Sequence, residues 1–178
     1  MRLCSKAFFL VLLLGLSAAG AAWADGMPRA NPAVAERVNA ISEEDFIVYQ
    51  DENSLHHVTV FTDVNCPICR RMHNQMEDYQ MFDIAIRYAA FPNIGNAMEQ
   101  MHGVWCSEDR KAAMGQAKRS EEVAVAGCRS EAVDEQMELA ISSGLVGTPA
   151  IITPQGRLLY GHVPAERLIE VLEWEAAQ

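Results

Sequence analysis

The sequence predicts an α/β fold, and three observations predict it. A β-branched run at residues 58–62 reads as a central strand, and residues 84–91 read as the next strand. Apolar residues at three- and four-residue spacing follow each run and also close the chain, as amphipathic helices require. Near the C-terminus, residues 150–153 and 158–160 flank Pro154-Gln155-Gly156, which reads as a hairpin.

Residues 1–24 stand outside that fold. Arg2 and Lys6 open the chain, an uncharged apolar run follows from residue 7 to 16, and Ala22-Trp23-Ala24 offers small residues at the two positions a signal peptidase reads. The layout is that of a secretory signal peptide cut before Asp25. The competing reading is an uncleaved membrane anchor, since residues 7–24 carry no charge. Their second half is Ala, Gly and Ser rather than Leu, which favours cleavage. Cys4 precedes the apolar run, on the wrong side for lipid modification, and is read as incidental.

Residues 25–57 are too few for an independent domain. Pro28 and Pro32 punctuate an irregular start, and Val34, Val38 and Ile41 recur at helical spacing. Phe46-Ile47-Val48-Tyr49 reads as a strand and Asp51-Glu52-Asn53-Ser54 as the turn after it. The main domain spans residues 58–178, with residues 58–62 as its central strand. Ile68, Met72, Met76 and Tyr79 then mark one stripe of a single helix, with Pro67 in its first turn, where a missing N–H costs nothing. Pro92 stops the strand 84–91. The stretch from about 95 to 144 is polar, with helical spacing at Met98, Met101 and Trp105 and again at Val133, Met137, Ala140 and Ile141. It reads as a helical insertion between strands, with Met98 and Met101 as core positions rather than a sticky surface. Pro164 opens a last helix whose core stripe is Ala165, Leu168 or Ile169, and Leu172.

The chain carries 14 basic and 24 acidic residues, a net charge of −10. Loss of the leader removes Arg2 and Lys6 and leaves acids outnumbering bases two to one. Nucleic acid and anionic membrane would repel such a chain, so neither is expected as a partner. Glu43-Glu44-Asp45 and Glu121-Glu122 read as solvated faces.

Past the leader, the cysteines are Cys66, Cys69, Cys106 and Cys128. An even number in an exported chain points to disulfides, because that compartment is oxidising. Cys66-Pro67-Ile68-Cys69 lies at the mouth of a helix. There, unpaired N–H groups and the positive end of the dipole favour the Cys66 thiolate. Thiolate attacks disulfides, so Cys66 is expected to be the exposed nucleophile. Cys69, one turn deeper, is expected to be the shielded thiol that resolves the mixed disulfide. The alternative is a metal site. His73 lies at helical spacing from both cysteines, but a structural zinc site wants a second close pair, and Cys106 and Cys128 stand far apart. The strand-then-helix context favours redox use without metal or cofactor, with His73 read as a helix-surface or core histidine rather than a catalytic one. Thr148-Pro149 is the second element, since a proline just before an apolar β run needs a strand start or a special turn. Gly144 and Gly147 signal that turn. The proline isomer is not set by these residues alone.

The segment from Val58 through Thr62, Asp63, Val64 and Asn65 to Cys66-Pro67-Ile68-Cys69, then Met72-His73, resembles the active-site segment of the periplasmic disulfide isomerases DsbC and DsbG. Residues 86–92, Trp105-Cys106, Cys128 and Gly147-Thr148-Pro149-Ala150 match that catalytic domain in order, and the resemblance covers about residues 44 to 175. It implies a thioredoxin-like fold with a helical insertion, a cis bond at Thr148-Pro149 facing the cysteines, and a Thr148-Pro149 loop that holds the substrate peptide. It also implies a structural disulfide between Cys106 and Cys128. The activity implied is thiol–disulfide exchange, as reductase or isomerase, on exported proteins with disulfides or free thiols, with a membrane thiol reductant or oxidase as redox partner. A dithiol oxidase is the alternative within the same chemistry. A redox-inactive binding module is the alternative outside it, against which stands the presence of both cysteines. The Pro-Ile dipeptide is closer to the Pro-x of DsbG than to the Gly-Tyr of DsbC. Members of that family carry an N-terminal dimerisation domain ahead of a linker helix, and residues 25–57 offer only something like the linker. The expectation is a monomer in which simple reduction persists and isomerase activity is weak.

Overall fold

The protein is described by a computed structural model that covers residues 28–50, 54–123 and 127–178. The expected signal peptide and residues 51–53 of the expected turn lie outside the described residues.

Both faces of the strand that carries residues 58–62 are covered, and all five residues are buried, the two threonines included. This strand, β2 (His56–Thr62), begins two residues before the apolar run, at the half-buried His56 and His57. The flanking strands are β1 (Ile47–Tyr49), β3 (Ile84–Ala90), β4 (Ala150–Ile152) and β5 (Leu158–Tyr160). They form a five-stranded sheet in the order β1-β3-β2-β4-β5. β2 runs parallel to β3 in the register Val60 to Tyr88, and antiparallel to β4 in the register Val60 to Ile151. β1 and β5 close the edges antiparallel. Phe46 falls just before β1 rather than in it, and packs under the opposite face of the sheet.

A parallel pair needs a crossover, and α2 (Pro67–His73) with α3 (Met76–Met81) provides it. The single stripe expected over 68–79 is broken here. Gln75 N–H bonds to Met72 C=O at 3.1 Å and Asp78 N–H to Gln75 C=O at 3.1 Å, so the turn tightens to i→i−3 bonding. No Pro or Gly marks the break in the sequence. Met72, Met76 and Tyr79 still reach the core, and the Tyr79 hydroxyl donates to Val163 C=O at 2.7 Å. Ile68 faces outward instead.

Met101 and Trp105 are fully buried and Met98 packs against the same cluster, so the helical spacing of the insertion marks core. Among the described residues the insertion forms three helices, α4 (Ala97–Cys106), α5 (Arg110–Lys118) and α6 (Glu131–Ser142). The Trp105 indole and the Gln136 amide both donate to Asp45 C=O at 2.8 Å, and Gln136 accepts from Ala90 N–H at 2.7 Å. The acidic turn at 43–45 is therefore tied down through its backbone; Glu43 and Glu44 are exposed, Asp45 is half-buried, and Glu43 pairs with Arg87 at 3.4 Å. A disulfide joins Cys106, the last residue of α4, to Cys128 just before α6.

α1 (Pro32–Asn39) and α7 (Ala165–Ala176) complete the fold. Gly156 in the β4–β5 turn has φ +83°, and a Cβ there would meet Asn31 C=O at 2.1 Å. That close approach lets Asn31 N–H bond to Gly156 C=O at 3.0 Å and seat α1 on the hairpin.

The disulfide closes a loop of 22 residues, for which the chain-entropy relation gives about 3 kcal/mol. Replacing both Cys106 and Cys128 with Ala should lower the urea unfolding free energy of the oxidised protein by about that amount. An unchanged unfolding midpoint contradicts it.

Candidate active site

The site starts where β2 ends. Thr62 and Asp63 are both fully buried. Asp63 Oδ1 accepts from Asn65 N–H at 2.6 Å, and Oδ2 accepts from Asn93 N–H at 2.7 Å and Ile94 N–H at 2.8 Å. One carboxylate thus holds the turn into the cysteine motif and the loop after β3. Arg70 clamps the same turn, donating from Nε to Val64 C=O at 2.8 Å and from Nη2 to Asn65 Oδ1 at 3.2 Å.

Cys66 is the residue immediately before α2, and Pro67 opens the helix as expected. Cys66 Sγ accepts from Cys69 N–H at 3.5 Å and donates to Thr148 C=O at 3.3 Å. The Thr148-Pro149 bond is cis, and Gly161 N–H bonds to Pro149 C=O at 2.9 Å. Cys66, Cys69, Thr148 and Pro149 therefore converge on one place. The exposed position expected for Cys66 needs correction, because the residue is only 4 % exposed. Its cover is the Thr148 loop, from the far end of the chain, which no local pattern around the motif announces. Cys69 lies deeper, at 1 % exposure. Ile68 and Val146 leave apolar side chains in solvent beside the two cysteines and the loop respectively.

The two thiols differ in charge preference. Burial pushes the Cys66 thiol up, but hydrogen bonds from the Thr148 hydroxyl, from Cys69 and from the Ile68 N–H outweigh it and hold it below its ordinary value. Burial also pushes the Cys69 thiol up. There the opposing influences, the Lys118 ammonium first, then the Thr62 hydroxyl and Asp63 N–H, do not outweigh it, and Cys69 stays above its ordinary value. The arrangement favours the thiolate form at Cys66 and the thiol form at Cys69, and the thiolate is the form that attacks disulfides.

His73 packs rather than reacts. Its Nδ1 is 3.3 Å from the Tyr88 hydroxyl and its ring meets the edge of Tyr49. Burial, then Lys118 and Arg119, push it down to about 4, so it is neutral at physiological pH. Among the described residues, no three of His, Cys, Asp and Glu are grouped to hold a metal ion, and Cys66, Cys69 and His73 are not such a group. Cys106 and Cys128 are consumed in their own bridge.

Residues 42–174 match the family model described as a thioredoxin-like domain. The chain belongs to that thioredoxin-like family. Within it, the chain is similar to the thiol:disulfide interchange protein DsbC of Escherichia coli K12. The two are 34 % identical over 146 residues, which is 80 % of this chain and 61 % of the relative. The DsbC of Dickeya dadantii is 33 % identical over 141 residues, 78 % of this chain and 58 % of that protein. The chain thus spans about three-fifths of the length of these curated relatives. Among solved structures, a disulfide interchange protein of Neisseria gonorrhoeae superposes with a TM-score of 0.63 and 28 % identity, covering 75 % of this chain and 96 % of that one. The thioredoxin-like fold with its CxxC pair at the head of α2 agrees with the fold expected from the sequence.

Sequence reasoning missed Lys118. This lysine is 3 % exposed and lies against the end of β2, with Nζ 2.6 Å from Thr62 Oγ1. The available signal was its place in α5, four residues after the buried Met114 and next to the buried Ala117, a position on the core stripe.

The Thr148 hydroxyl is the first of the groups that lower Cys66. In a Cys69→Ala background, Thr148→Val should therefore raise the pH at which the ultraviolet thiolate absorbance of Cys66 appears, and slow its alkylation at neutral pH. Identical titration curves contradict that role.

Proposed function

We propose that this chain is an exported thiol–disulfide oxidoreductase of the periplasm, acting as reductase or isomerase on disulfides of other exported proteins. The observation that carries the reading is the division of labour between the two thiols, with Cys66 held low at the head of α2 and Cys69 held high behind it. The likeness to DsbC over most of the chain supports it. No helix among the described residues is long and apolar enough to cross a membrane.

In the forward direction the Cys66 thiolate attacks one sulfur of a substrate disulfide. A Cys66–substrate bond forms, the substrate S–S bond breaks, and the electron pair leaves on the second substrate sulfur. Cys69 then attacks Cys66 Sγ, closing the Cys66–Cys69 disulfide and releasing the first substrate sulfur as thiolate. The substrate is reduced and the pair is oxidised. When a second substrate thiolate attacks the mixed disulfide instead, the substrate is isomerised and the pair stays reduced. Thr148 and Pro149 hold the substrate segment beside Cys66, and the apolar Ile68 and Val146 suit unfolded polypeptide. A membrane thiol reductant would return the pair to its dithiol form. A dithiol oxidase is the second reading, favoured by the low Cys66 thiol, because a stabilised thiolate leaves readily and stabilises the reduced pair.

Cys69→Ala should accumulate mixed disulfides with periplasmic proteins, visible as reductant-sensitive bands, while Cys66→Ala should abolish insulin reduction. Full insulin-reducing activity in both single variants contradicts the assignment.

A further inference from the structure

A cleft of about 370 Å³ lies between α6 and the end of α1 with the turn that follows it. α1 and α6 pack on one face of the sheet through Val38 and Ala140, whereas α2 packs on the other through Met72. The cleft is therefore a separate place from the cysteine site. Ala40, Ile41 and Ala132 give it an apolar lining, and Arg37, Asp45 and Glu135 give it charge. Arg37 donates from Nη2 to Ser142 Oγ at 2.6 Å and from Nη1 to Ser143 Oγ at 3.1 Å. The Ser142 hydroxyl gives its own hydrogen to Glu138 C=O at 2.7 Å, so its oxygen accepts. These neutral partners fix the guanidinium at the C-terminal end of α6 and leave its charge uncompensated. Three of its five N–H groups remain to donate.

The opposite end of the cleft is acidic. Asp45 is half-buried and fixed through its backbone, whose C=O accepts from the Gln136 amide at 2.8 Å. Glu135 is the neighbour of Gln136 on α6. Among the described residues, neither of these carboxylates takes part in an ion pair, and nor does Arg37. The Gln136 amide is used on both sides, by Asp45 C=O and Ala90 N–H, so recognition in the cleft rests on its charged ends. Ser142 stands seven residues after Glu135, which places the two ends about 10 Å apart along the α6 axis. An extended chain advances about 3.5 Å per residue, so three residues with free termini span about the same length.

We propose that the α1–α6 cleft binds a short peptide with free termini, about three residues long and apolar in the middle. Its carboxylate meets Arg37, whose planar fork suits two oxygens at once. Its ammonium meets Asp45 and Glu135, and its central side chain lies against Ala40, Ile41 and Ala132. Charge complementarity fixes the direction of the bound chain, and the spacing of the ends fixes its length. A single amino acid is too short to reach both ends, and a longer peptide carries one terminus past its partner. The inference goes beyond the exchange reading and needs neither Cys66 nor Cys69.

The test titrates the nitrogen-15-labelled full chain with the peptide Ala-Leu-Ala and follows backbone amide shifts. The peptide has no sulfur, so thiol–disulfide exchange plays no part in the readout. Saturable shifts are expected at Ile41, Ala132 and Gln136, with the Cys66 and Thr148 amides unmoved. Capping the peptide as a C-terminal amide, or as an N-acetyl derivative, should each weaken binding about tenfold. Arg37→Met should weaken the free peptide about tenfold and remove the preference for carboxylate over amide. Asp45→Asn with Glu135→Gln should remove the preference for ammonium over acetyl and keep the carboxylate preference. The capped peptides answer the question in the wild type even if a variant does not fold. Absence of saturable shifts at millimolar peptide, equal affinity for free and capped peptides, or shifts centred on Cys66 and Thr148 overturn the proposal. Failure of the exchange reading looks different: Cys66→Ala would keep insulin reduction, and this titration would be unchanged.

Discussion

Asp63 sits at the end of the central strand with no exposure to solvent, and its carboxylate is held by the backbone N–H groups of Asn65, Asn93 and Ile94. These three hydrogen bonds, at 2.6, 2.7 and 2.8 Å, fix two loops to one point. One loop leads into Cys66, and the other follows the parallel neighbour strand. The backbone of the same residue accepts from Cys66 N–H at 3.3 Å and from Lys118 Nζ at 3.0 Å. The head of α2, the entry to the helical insertion and the buried lysine are therefore indexed to Asp63, the residue directly after β2. The Thr148 loop leads into β4, whose pairing with β2, Phe61 opposite Ala150, brings it to the same end of the sheet.

The sheet makes the anchor possible. β2 is central and buried from Val58 to Thr62, Thr59 included, and the buried Thr62 and Asp63 stand where it ends and loops bring partners. One face is packed by Met72, Tyr79, Met101 and Leu168 from the crossover, insertion and last helix, the other by Val38 and Ala140 from α1 and α6. Such packing leaves the two thiols little freedom. Their difference then follows from depth: Cys66 meets several donors at the helix head, whereas Cys69 meets chiefly the apolar interior with a lysine behind it.

Much of this was legible from the residues in order. The apolar runs marked β2 and β3, the Pro-Gln-Gly turn marked the β4–β5 hairpin, and the CxxC motif with Thr148-Pro149 marked the site. What escaped was set by long-range contacts. The cover over Cys66 comes from a residue 82 positions away, and local spacing carries no trace of it. The break between α2 and α3 has no Pro or Gly to announce it. Lys118 was passed over because lysine is almost always exposed, although its register with Met114 placed it on the buried stripe of α5.

The central claim is that the fold gives two neighbouring cysteines opposite chemical characters, and competitive alkylation tests it most directly. The reduced protein is exposed briefly to limiting iodoacetamide at a series of pH values, quenched and mapped by mass spectrometry. The account predicts modification at Cys66 that is already established below the pH range of an ordinary thiol, with Cys69 unmodified at the same times. Equal labelling of the two cysteines, or faster labelling of Cys69, would contradict it.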